Sequence, residues 1–542
     1  MPKVIVLDSL SQDGIDLLES AGNLEYEVRI GLKGEELRQA LTEFDGCILR
    51  SGAKLTADAL EGNTRLKAIV RAGVGTDNID KEAATRLGIV VMNTPGGNTI
   101  STAEHTMALM MGLSRNVAPA YQSLREGRWD RKLYMGTQLA GKTLGIVGLG
   151  RIGQAVASRA QALEMKILGY DPFLSAARAK ELGIETCASP KEMFPLVDYL
   201  TVHTPLTDET RGLVGAKEIK TMRKGVRLIN CARGGIYDEA ALAEGLKSGQ
   251  IGGVALDVYS TEPCTDSPLF GMDNVLCTPH LGASTEEAQT NVAVEGVGLL
   301  IDFFSTGEIR QAVNMSPLDG KTLETLRGSL NVSYRLGLLL AQMDKSPPNT
   351  CKLTFEGDVA SKDTRLLSAA FAAGLLEHAM DSEVNIVNAE ILLRERGIEL
   401  IEQRKTDVGD FSSLIKAEVT SDTRTSQAAG TLFGKMIPKL VQKAGCELEA
   451  NLEGILLLFR HLDTPGVIGK VGSLFGTHRI NIASMAVGRQ ESKPGGQAMG
   501  ILSLDSQPPS EAVAELLALD DIKQAWVVKL PPAQEMPSWM GG

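Results

Sequence analysis

The chain has 542 residues, of which 23% are charged and 43% hydrophobic, and its formal net charge is −12. This length suffices for three or four domains with packed cores. The negative charge argues against a nucleic acid or an anionic membrane as partner. The seven cysteines are scattered and include no CxxC pair, so we expect no metal site, no disulfide framework and a reducing compartment, the cytoplasm. We also expect no membrane span, because no apolar run approaches about 20 residues.

Residues 1–98 alternate short apolar runs with helical stretches, which is typical of a parallel α/β sheet. The predicted strands are 4–7, 47–49, 68–70 and 89–92, and the predicted helices include 14–21 and 35–41. Long helices are predicted at 99–115 and 286–304, on either side of a second α/β series. The sequence therefore predicts an α/β fold with two tandem doubly wound parallel-sheet domains. We assign residues 1–98 with 285–315 to the first and 99–284 to the second, with a ligand cleft between them.

The second series contains the pattern Gly148-x-Gly150-x-x-Gly153 between a predicted strand and a helix at 154–163. Gly148 permits the tight turn, Gly150 lets backbone amides approach a pyrophosphate, and Gly153 lets the helix lie close to the sheet. Asp171 ends the next predicted strand and is placed to accept hydrogen bonds from the adenosine ribose. Because no basic pair follows Asp171, NAD is favoured over NADP.

Three later segments end in polar residues where parallel strands should finish, at Arg233, Glu262 and His280. Hydride removal from a hydroxy acid requires a cation for the carboxylate, a base for the hydroxyl proton and a group that orients the base. Arg233 offers a bidentate fork, His280 can accept the proton, and Glu262 can raise the pKa of the imidazole. Each residue alone is commonly a surface ion pair or a satisfied loop residue. Their occurrence on consecutive strand ends favours a catalytic role.

Segments 148–153, 230–235, 257–263 and 278–285 resemble the motifs of D-specific 2-hydroxyacid dehydrogenases. A narrower resemblance, to the long members of this family, rests on segments 49–51, 70–75, 93–98 and 129–131 and on the C-terminal half. It implies NAD-dependent oxidation of D-3-phosphoglycerate to 3-phosphohydroxypyruvate, the first step of L-serine synthesis, with Arg233, Glu262 and His280 as the catalytic triad. The implied NAD contacts are Arg151, Ile152, Asp171, Thr204, Cys231, Ala232, Arg233, Asp257, His280, Gly282 and Ala283.

The predicted substrate-binding residues are Arg50, Arg71, Asn98 and Arg131, together with Arg233 and His280. Arg50 and Arg71 follow apolar runs at predicted strand ends, and two cations there suit a substrate with both a phosphate and a carboxylate. From sequence alone, solvated surface arginines are the commoner interpretation. The resemblance implies that Arg131 reaches the site from a neighbouring subunit, so we expect a homo-oligomer, either a dimer or a tetramer.

The C-terminal half changes character near residue 316. Residues 316–450 are predicted to form an α+β domain, with helices at 364–380 and 426–444, and they resemble the intervening domain of the long members. Lys435 and Lys439 are candidates for anion binding there, although two lysines one helical turn apart commonly lie on a solvated face. Residues 451–530 predict a ferredoxin-like β-α-β-β-α-β unit that resembles an ACT regulatory domain. We expect the tail 531–542 to be disordered.

In the ACT-like unit, His461, Asp463 and Asn481 are candidates for binding L-serine as an effector. An equally supported alternative is that Asp463 caps the following helix. Two other functions stay open at this point: another D-2-hydroxyacid dehydrogenase, such as a hydroxypyruvate or 2-oxoglutarate reductase, and a non-enzymatic NAD-sensing binding protein. The ACT-like unit argues against the second.

Overall fold

A computed structural model describes residues 1–344, 347–377, 379, 384–407, 409–422, 424–434, 436–491, 494–537 and 539. These residues form four β-sheets that follow one another along the chain. Within the same residues, no helix combines the length and apolar character needed to cross a membrane. The predicted fold, two tandem doubly wound domains followed by an α+β domain and a ferredoxin-like domain, is confirmed.

The first sheet is parallel and has the strand order β2-β1-β3-β4-β5. Its strands are β1 Lys3–Val6, β2 Glu25–Val28, β3 Gly46–Leu49, β4 Ala68–Arg71 and β5 Val90–Asn93. Its helices are α1 Gln12–Ser20, α2 Gly34–Leu41, α3 Ala57–Leu60 and α4 Lys81–Arg86. The central strands β1, β3 and β4 are buried on both faces, which explains their continuous apolar runs. The carboxyl ends of β3 and β4 lead directly to Arg50 and Arg71.

The second sheet is parallel, with the order β12-β11-β10-β9-β6-β7-β8. Its strands are β6 Thr143–Val147, β7 Lys166–Tyr170, β8 Glu185–Thr186, β9 Tyr199–Val202, β10 Val226–Asn230, β11 Ile251–Leu256 and β12 Val275–Cys277. Its helices are α5 Thr99–Ser114, α6 Val117–Arg125, α7 Arg151–Ala162, α8 Ala176–Glu181, α9 Pro190–Met193, α10 Ala216–Thr221 and α11 Glu239–Lys247. The strand order reverses between β6 and β9, and such a switch point is where parallel sheets bind dinucleotides.

Two helices connect the first two sheets. Helix α5 leads from β5 into the second sheet, and α12 Glu286–Thr306 leads back and packs against α1. The approach is close, because a Cβ atom on Gly14 of α1 would lie 2.9 Å from the Cβ of Ala293. The carboxyl ends of the strands that precede α5 and α12 therefore border the same cleft. The predicted domain limits at residues 98, 284, 315 and 450 stay predictions.

The third sheet has the order β14-β13-β15-β16-β17-β18 and is antiparallel except for the pair of β13 with β14. Its elements are α13 Gly320–Met343, β13 Pro348–Gly357, α14 Thr364–Leu376, α15 Ala389–Glu395, β14 Glu399–Lys405, β15 Ser413–Ser421, β16 Thr425–Phe433, β17 Ile437–Lys443 and β18 Cys446–Asn451. The helix predicted at 426–444 is wrong, since this segment forms the hairpin of β16 and β17. Its small and apolar residues pack against α13 as two paired strands, and a short apolar run by itself does not distinguish a strand from a helix. Residue 380, the predicted end of the other helix, lies outside the described residues.

The fourth sheet has the order β20-β21-β19-β22 and is antiparallel. Its elements are β19 Gly454–Leu462, α16 Val467–Thr477, β20 Ile482–Arg489, β21 Gln497–Leu504, α17 Ser510–Leu517 and β22 Ile522–Leu530. Helices α16 and α17 cover one face. The other face, with Leu456, Leu458 and Val528, packs into the core that also holds α13. The ferredoxin-like prediction is therefore confirmed. The central strands β19 and β21 are buried on both faces, whereas the edge strand β20 is largely exposed.

The expected disorder of the tail is wrong for its described residues, 531–537 and 539. Arg335 of α13 is fully buried and donates to the carbonyl oxygens of Pro531, Pro532 and Glu535. It also donates to the carbonyl of Leu452 at 3.0 Å, in the connection between the third and fourth sheets. A buried guanidinium requires all its donors to be satisfied, and the tail carbonyls supply this need. The tail is thus held against α13.

Candidate active site

The glycine pattern forms the turn from β6 into α7, as predicted. Gly148 has φ of 91°, and a Cβ atom on it would lie 2.5 Å from the carbonyl oxygen of His203. A Cβ atom on Gly153 would collide with the carbonyl oxygen of Gly148. Gly150 is the residue before the first turn of α7, which begins at Arg151 and Ile152. Glycine at positions 148 and 153 therefore allows the tight turn and the close approach of α7, and the space at Gly150 beside the free amides of the helix start is open.

The carboxylate of Asp171 lies beside this turn at the end of β7. One of its oxygens accepts a hydrogen bond from the amide of Leu149 at 2.7 Å, and the other accepts from the amide of Phe173 at 2.8 Å. Across the turn, the hydroxyl of Thr204 is buried and has no hydrogen-bond partner among the described residues. An acidic group, an unused hydroxyl and a cradle of amides match the ribose and pyrophosphate of a dinucleotide. These residues fit NAD.

The end of β10 presents Arg233 to the cleft. Asn230 shapes this turn, since its side chain donates to the carbonyl of Arg233 at 2.8 Å and accepts from the amide of Ala232 at 2.9 Å. The predicted cofactor-binding residues Cys231 and Ala232 lie in this turn, and Cys231 is buried. The Arg233 guanidinium donates to the carbonyl of Ala232 at 2.6 Å. The conformation of this turn therefore helps to fix the position of the Arg233 guanidinium.

Three predicted arginines converge in the cleft from both sheets. Burial, together with the nearby charges of Arg50 and Arg233, lowers the pKa of Arg71 to about 10. Arg50 is half-buried and donates to the carbonyl of Ser9 at 3.3 Å, while Arg71 donates to the carbonyl of Ala72 at 2.6 Å. Mutual repulsion of this kind is relieved when an anion binds. The cluster can hold a doubly anionic molecule.

His280 and Glu262 form the predicted pair. The Nδ1 atom of His280 lies 2.7 Å from a carboxylate oxygen of Glu262, whose other oxygen accepts from the amide of Tyr259 at 3.0 Å. The hydrogen bond and charge of Glu262 raise the pKa of His280 above its usual value, against the opposing effect of burial. Burial opposes ionisation of Glu262, yet its hydrogen bonds with His280 and Tyr259 hold its pKa below the usual value. This arrangement leaves Nε2 of His280 available to accept a proton.

The predicted cofactor residue Asp257 is fully buried below this pair. Its carboxylate accepts hydrogen bonds from the amides of Leu281 and Gly282 at 2.7 and 2.8 Å and from the hydroxyl of Thr278 at 2.6 Å. Burial opposes ionisation, but the hydrogen bonds together hold the pKa of Asp257 below its usual value. In this structure the carboxylate orients the loop that carries His280.

Asn98 and Arg131 occupy different surroundings. Asn98 precedes α5 at the border of the cleft, and its buried Oδ1 atom has no hydrogen-bond partner among the described residues. The side chain of Arg131 is exposed beyond α6. Among the described residues, the hydrogen bonds and ion pairs of Arg233, Glu262 and His280 do not include Arg131. The structure thus brings Asn98 to the cleft but leaves Arg131 outside it.

Two residues near the site were missed by the sequence reasoning. Asp77 accepts a hydrogen bond from Nε of Arg233 at 3.0 Å, and this ion pair crosses from the first sheet to the second. His105 of α5 lies 3.2 Å from the carboxylate of Asp257. The available signals were an acidic residue just beyond a glycine-rich strand end and a histidine in an otherwise apolar helix. Neither signal indicates which residue Asp77 or His105 would contact.

The candidate effector residues do not form one cluster. His461 is 2% exposed; its Nδ1 atom lies 2.8 Å from the carbonyl of Leu462, and its buried Nε2 atom has no partner among the described residues. Asp463 pairs with Arg489 of β20 at 2.6 Å. Asn481 instead donates to Asp505 at 2.7 Å. The alternative role of Asp463 as a helix cap is wrong, because Gly466 is the residue that precedes α16.

The candidate anion-binding lysines are placed differently from the prediction. Lys439 lies on β17, not on a helix, and pairs with Glu449 of β18 at 3.2 Å. Its ammonium also lies 5.1 Å from the ring centre of Phe433. Lys435 lies outside the described residues. An anion would have to compete with Glu449 for Lys439, so the structure offers no support for this site.

Three family models match parts of the chain. The NAD-binding domain of D-isomer-specific 2-hydroxyacid dehydrogenases matches residues 107–282. The intervening domain of D-3-phosphoglycerate dehydrogenase matches residues 325–443, and the ACT domain matches residues 455–521. The first range contains the whole second sheet, the second contains β13 to β17 of the third sheet, and the third contains nearly all of β19 to β21 of the fourth sheet.

Several curated relatives match nearly the whole chain. The D-3-phosphoglycerate dehydrogenase of Methanocaldococcus jannaschii is 41% identical over 531 residues, which cover 98% of this chain and 100% of the relative. The enzyme of the same name from Archaeoglobus fulgidus is 40% identical over 97% of this chain and all of its own length. That of Bacillus subtilis is 40% identical over 98% of this chain and all of its own length.

Solved structures match the dehydrogenase half. A protein of Thermus thermophilus is 34% identical, with a TM-score of 0.52, over 56% of this chain and 96% of its own. A glyoxylate reductase from Paecilomyes thermophila is 27% identical, with a TM-score of 0.54, over 58% of this chain and 98% of its own.

The position of Asp171 leads to a prediction on cofactor binding. Asp171→Ala should weaken NAD binding by roughly 1–3 kcal/mol, because a charge-assisted hydrogen bond to the ribose is lost. Isothermal titration calorimetry of both proteins with NAD would measure the difference. Glu185→Ala, an exposed change on β8, is the matched control and should leave the affinity unchanged. Unaltered NAD affinity in Asp171→Ala, or equal affinity of the unmodified protein for NADP, would contradict the assignment.

Proposed function

The chain belongs to the D-3-phosphoglycerate dehydrogenase family, and we propose on this premise how its residues oxidise D-3-phosphoglycerate to 3-phosphohydroxypyruvate with NAD. The observation that carries the proposal is the hydrogen bond between His280 and Glu262 beside the three-arginine cluster. Bound NAD supplies the hydride acceptor. The match over nearly the full length of relatives with ACT domains favours this substrate over those of shorter hydroxyacid dehydrogenases and over a purely sensing role.

Arg233 binds the carboxylate of the substrate in this proposal. Its guanidinium can form two parallel hydrogen bonds with a carboxylate, which fixes the orientation of the adjacent carbon. In the structure Asp77 accepts from Nε of Arg233, so substrate would compete with Asp77 or bind the remaining nitrogens. Because Asp77 is largely exposed, its ion pair with Arg233 is weakened by solvent and can be exchanged.

His280 accepts the hydroxyl proton through Nε2. The neutral imidazole must carry its own proton on Nδ1, and Glu262 accepts that hydrogen bond. When Nε2 takes the substrate proton, the nearby carboxylate of Glu262 stabilises the resulting imidazolium. This division of roles requires Glu262 to stay ionised, which agrees with its lowered pKa.

The pair predicts a defined pH dependence. Oxidation requires neutral His280, so kcat/KM should fall as the pH drops through the raised pKa of His280. Glu262→Gln removes the charge that raises this pKa, and the acid limb of the profile should therefore move to lower pH.

His280→Ala should reduce turnover about 10²–10⁴-fold while NAD still binds. Rate profiles over the acid and neutral range test both, and near-normal turnover of His280→Ala at neutral pH would refute its role.

Arg50 and Arg71 are proposed to bind the phosphate. Both side chains lie at strand ends of the first sheet, and both have a lowered pKa because burial removes them from water. The Nε atoms of both are buried and have no hydrogen-bond partner among the described residues. A dianionic phosphate can satisfy such donors and offset the repulsion within the cluster. An unphosphorylated hydroxy acid cannot do both.

This assignment predicts which substrates each arginine affects. Arg50→Ala or Arg71→Ala should raise KM for D-3-phosphoglycerate by about tenfold or more, the scale for a lost charged hydrogen bond. KM for D-glycerate or D-lactate should change little, because these substrates lack the phosphate. Arg65→Ala, which breaks an exposed pair with Asp45, is the control. Equal losses on all substrates would assign the two arginines to the fold or to the carboxylate.

We also propose a homo-oligomer in which Arg131 enters a neighbouring active site. The segment around α6 exposes many large apolar side chains, an arrangement that usually marks a protein interface. They are Ile100, Met111, Val117, Tyr121, Leu124, Trp129, Leu133 and Met135, and three of them are more than 70% exposed. Arg131 lies between Trp129 and Leu133 in this patch.

The seven cysteines are free, which agrees with the proposed cytoplasmic location.

Shared active sites predict complementation between variants. Arg131→Ala and His280→Ala should each be nearly inactive, and mixing them with subunit exchange should restore a fraction of the activity, because some sites then receive both native residues. Light scattering before and after mixing establishes the oligomeric state. Arg178→Ala in place of Arg131→Ala is the control, since Arg178 pairs with Glu181 on an exposed helix. A monomeric protein, or no recovery despite exchange, would contradict this proposal.

Serine is proposed to bind at the ACT domain and to lower activity. His461 has a buried, unpartnered Nε2 atom, and the neighbouring Asp463 presents a carboxylate to an ammonium once its pair with Arg489 is exchanged. Asn481 starts the neighbouring strand region and pairs with Asp505 in the unliganded chain. Because Asn481 shares no contact with Asp463 among the described hydrogen bonds, serine binding requires rearrangement or a second ACT domain at this edge.

The proposal predicts that Asp463→Ala abolishes the serine response and leaves uninhibited turnover within about twofold, since the ACT sheet lies outside the dehydrogenase sheets. Calorimetry with serine and rates at increasing serine concentration test it together. Asp520→Ala, an exposed change in the turn before β22, is the control. Absence of serine binding at millimolar concentration would restrict the ACT domain to assembly.

A further inference from the structure

One face of α5 contacts the whole segment that carries His280. Near the start of the helix, the hydroxyl of Ser101 lies 2.7 Å from that of Thr285. Thr102 donates to the carbonyl of Gly282 at 3.2 Å. One turn further, Nε2 of His105 lies 3.1 Å from the hydroxyl of Thr278 and 3.2 Å from Oδ1 of Asp257. Hydrogen bonds from α5 therefore extend from the first to the last residue of this segment.

This face of α5 carries the imidazole of His105. Oδ1 of ionised Asp257 can only accept hydrogen bonds, so Nε2 of His105 carries a proton and donates it. The same Oδ1 atom accepts from the hydroxyl of Thr278 and the amide of Leu281. The other hydrogen bonds to this carboxylate come from the segment that follows β12. Among the described residues, His105 is the one side chain from another element that hydrogen-bonds to it.

The backbone of the loop between β12 and α12 is tightly constrained around His280. His280 has φ of 56°, in the left-handed region that a residue with a Cβ atom rarely adopts. Thr278, two residues before it, and Leu281, directly after it, both donate hydrogen bonds to Asp257. A rotation of this carboxylate would move both anchors and, with them, the imidazole that meets Glu262. Donation from His105 opposes that rotation.

We propose that His105 is a positioning residue for the hydride-transfer site, acting through Asp257 to hold His280 against Glu262. The inference rests on the proposed function only where a rate is measured, because kcat refers to the proposed reaction. The contact of α5 with the loop that carries His280 is present without a substrate. Because α5 starts at the junction of the two sheets, a change in their relative position would reach His280 by this route.

The test compares a variant that removes the donor with one that keeps it. His105→Leu should lower kcat about ten- to hundredfold, the effect of a misplacement on the order of 1 Å. His105→Gln, whose amide can occupy the place of Nε2, should retain most of the turnover. Ser101→Ala, a neighbour on the same face that contacts Thr285 and not Asp257, is the matched control and should stay within about threefold of the unmodified enzyme, the scale of a single neutral hydrogen bond.

A second readout requires no turnover. The rate at which diethyl pyrocarbonate modifies His280, followed by peptide mass spectrometry as a function of pH, reports the pKa of its imidazole. In His105→Leu the midpoint should move to lower pH, because a displaced imidazole loses the contact with Glu262 that raises its pKa. The acid limb of kcat/KM should move in the same direction. A failure of the proposed function would remove the rate profile but not this modification profile.

Two results would overturn the inference. The first is an unchanged midpoint and rate in His105→Leu. The second is an equal loss in His105→Leu and His105→Gln without a shift of the midpoint, which would make His105 a packing residue. If His105→Leu does not fold, Thr278→Val replaces it, because this change removes a hydroxyl that bonds to both Nε2 and Asp257. The midpoint should then shift downward, and an unshifted midpoint would again contradict the proposal.

Discussion

The active site depends on one buried carboxylate. Asp257 is fully buried and ionised, and such a charge is tolerated only when hydrogen bonds replace its water. The donors come from Thr278, Leu281, Gly282 and His105, which belong to a loop and a distant helix. The need to satisfy one charge therefore determines the course of the loop between β12 and α12. The position of His280 follows from that course.

A second constraint is charge within an acidic protein. The chain carries a net charge of −12, yet three arginines converge where the two parallel sheets meet. Partial burial weakens screening by water, so the local positive potential is determined by these side chains and not by the net charge. Arg50 and Arg71 come from strand ends of the first sheet, and Arg233 comes from the second. A substrate that carries both a phosphate and a carboxylate would therefore contact the two sheets at once.

The C-terminal half, with the third and fourth sheets, is connected to the dehydrogenase half through packing. A single apolar core includes Val4 of β1, Leu330 of α13 and Leu456 of β19, so it extends across the first, third and fourth sheets. Arg335 of α13 adds hydrogen bonds to the connection before β19 and to the tail. Close-packed interiors transmit displacement because they contain few voids. A ligand that moves the fourth sheet can therefore act on α13.

The sequence by itself determined the α/β class, the glycine turn with Asp171, and the order of the strands whose following loops carry Arg233, Glu262 and His280. These features follow from local periodicity and from residue chemistry at element ends. Only the tertiary structure decided the strand character of 426–444, the ordered tail and the partners Asp77 and His105. Short apolar segments suit a helix or a strand equally until a neighbour selects one. A partner 152 positions away in sequence, as Asp257 is from His105, is chosen by packing, which local pattern does not contain.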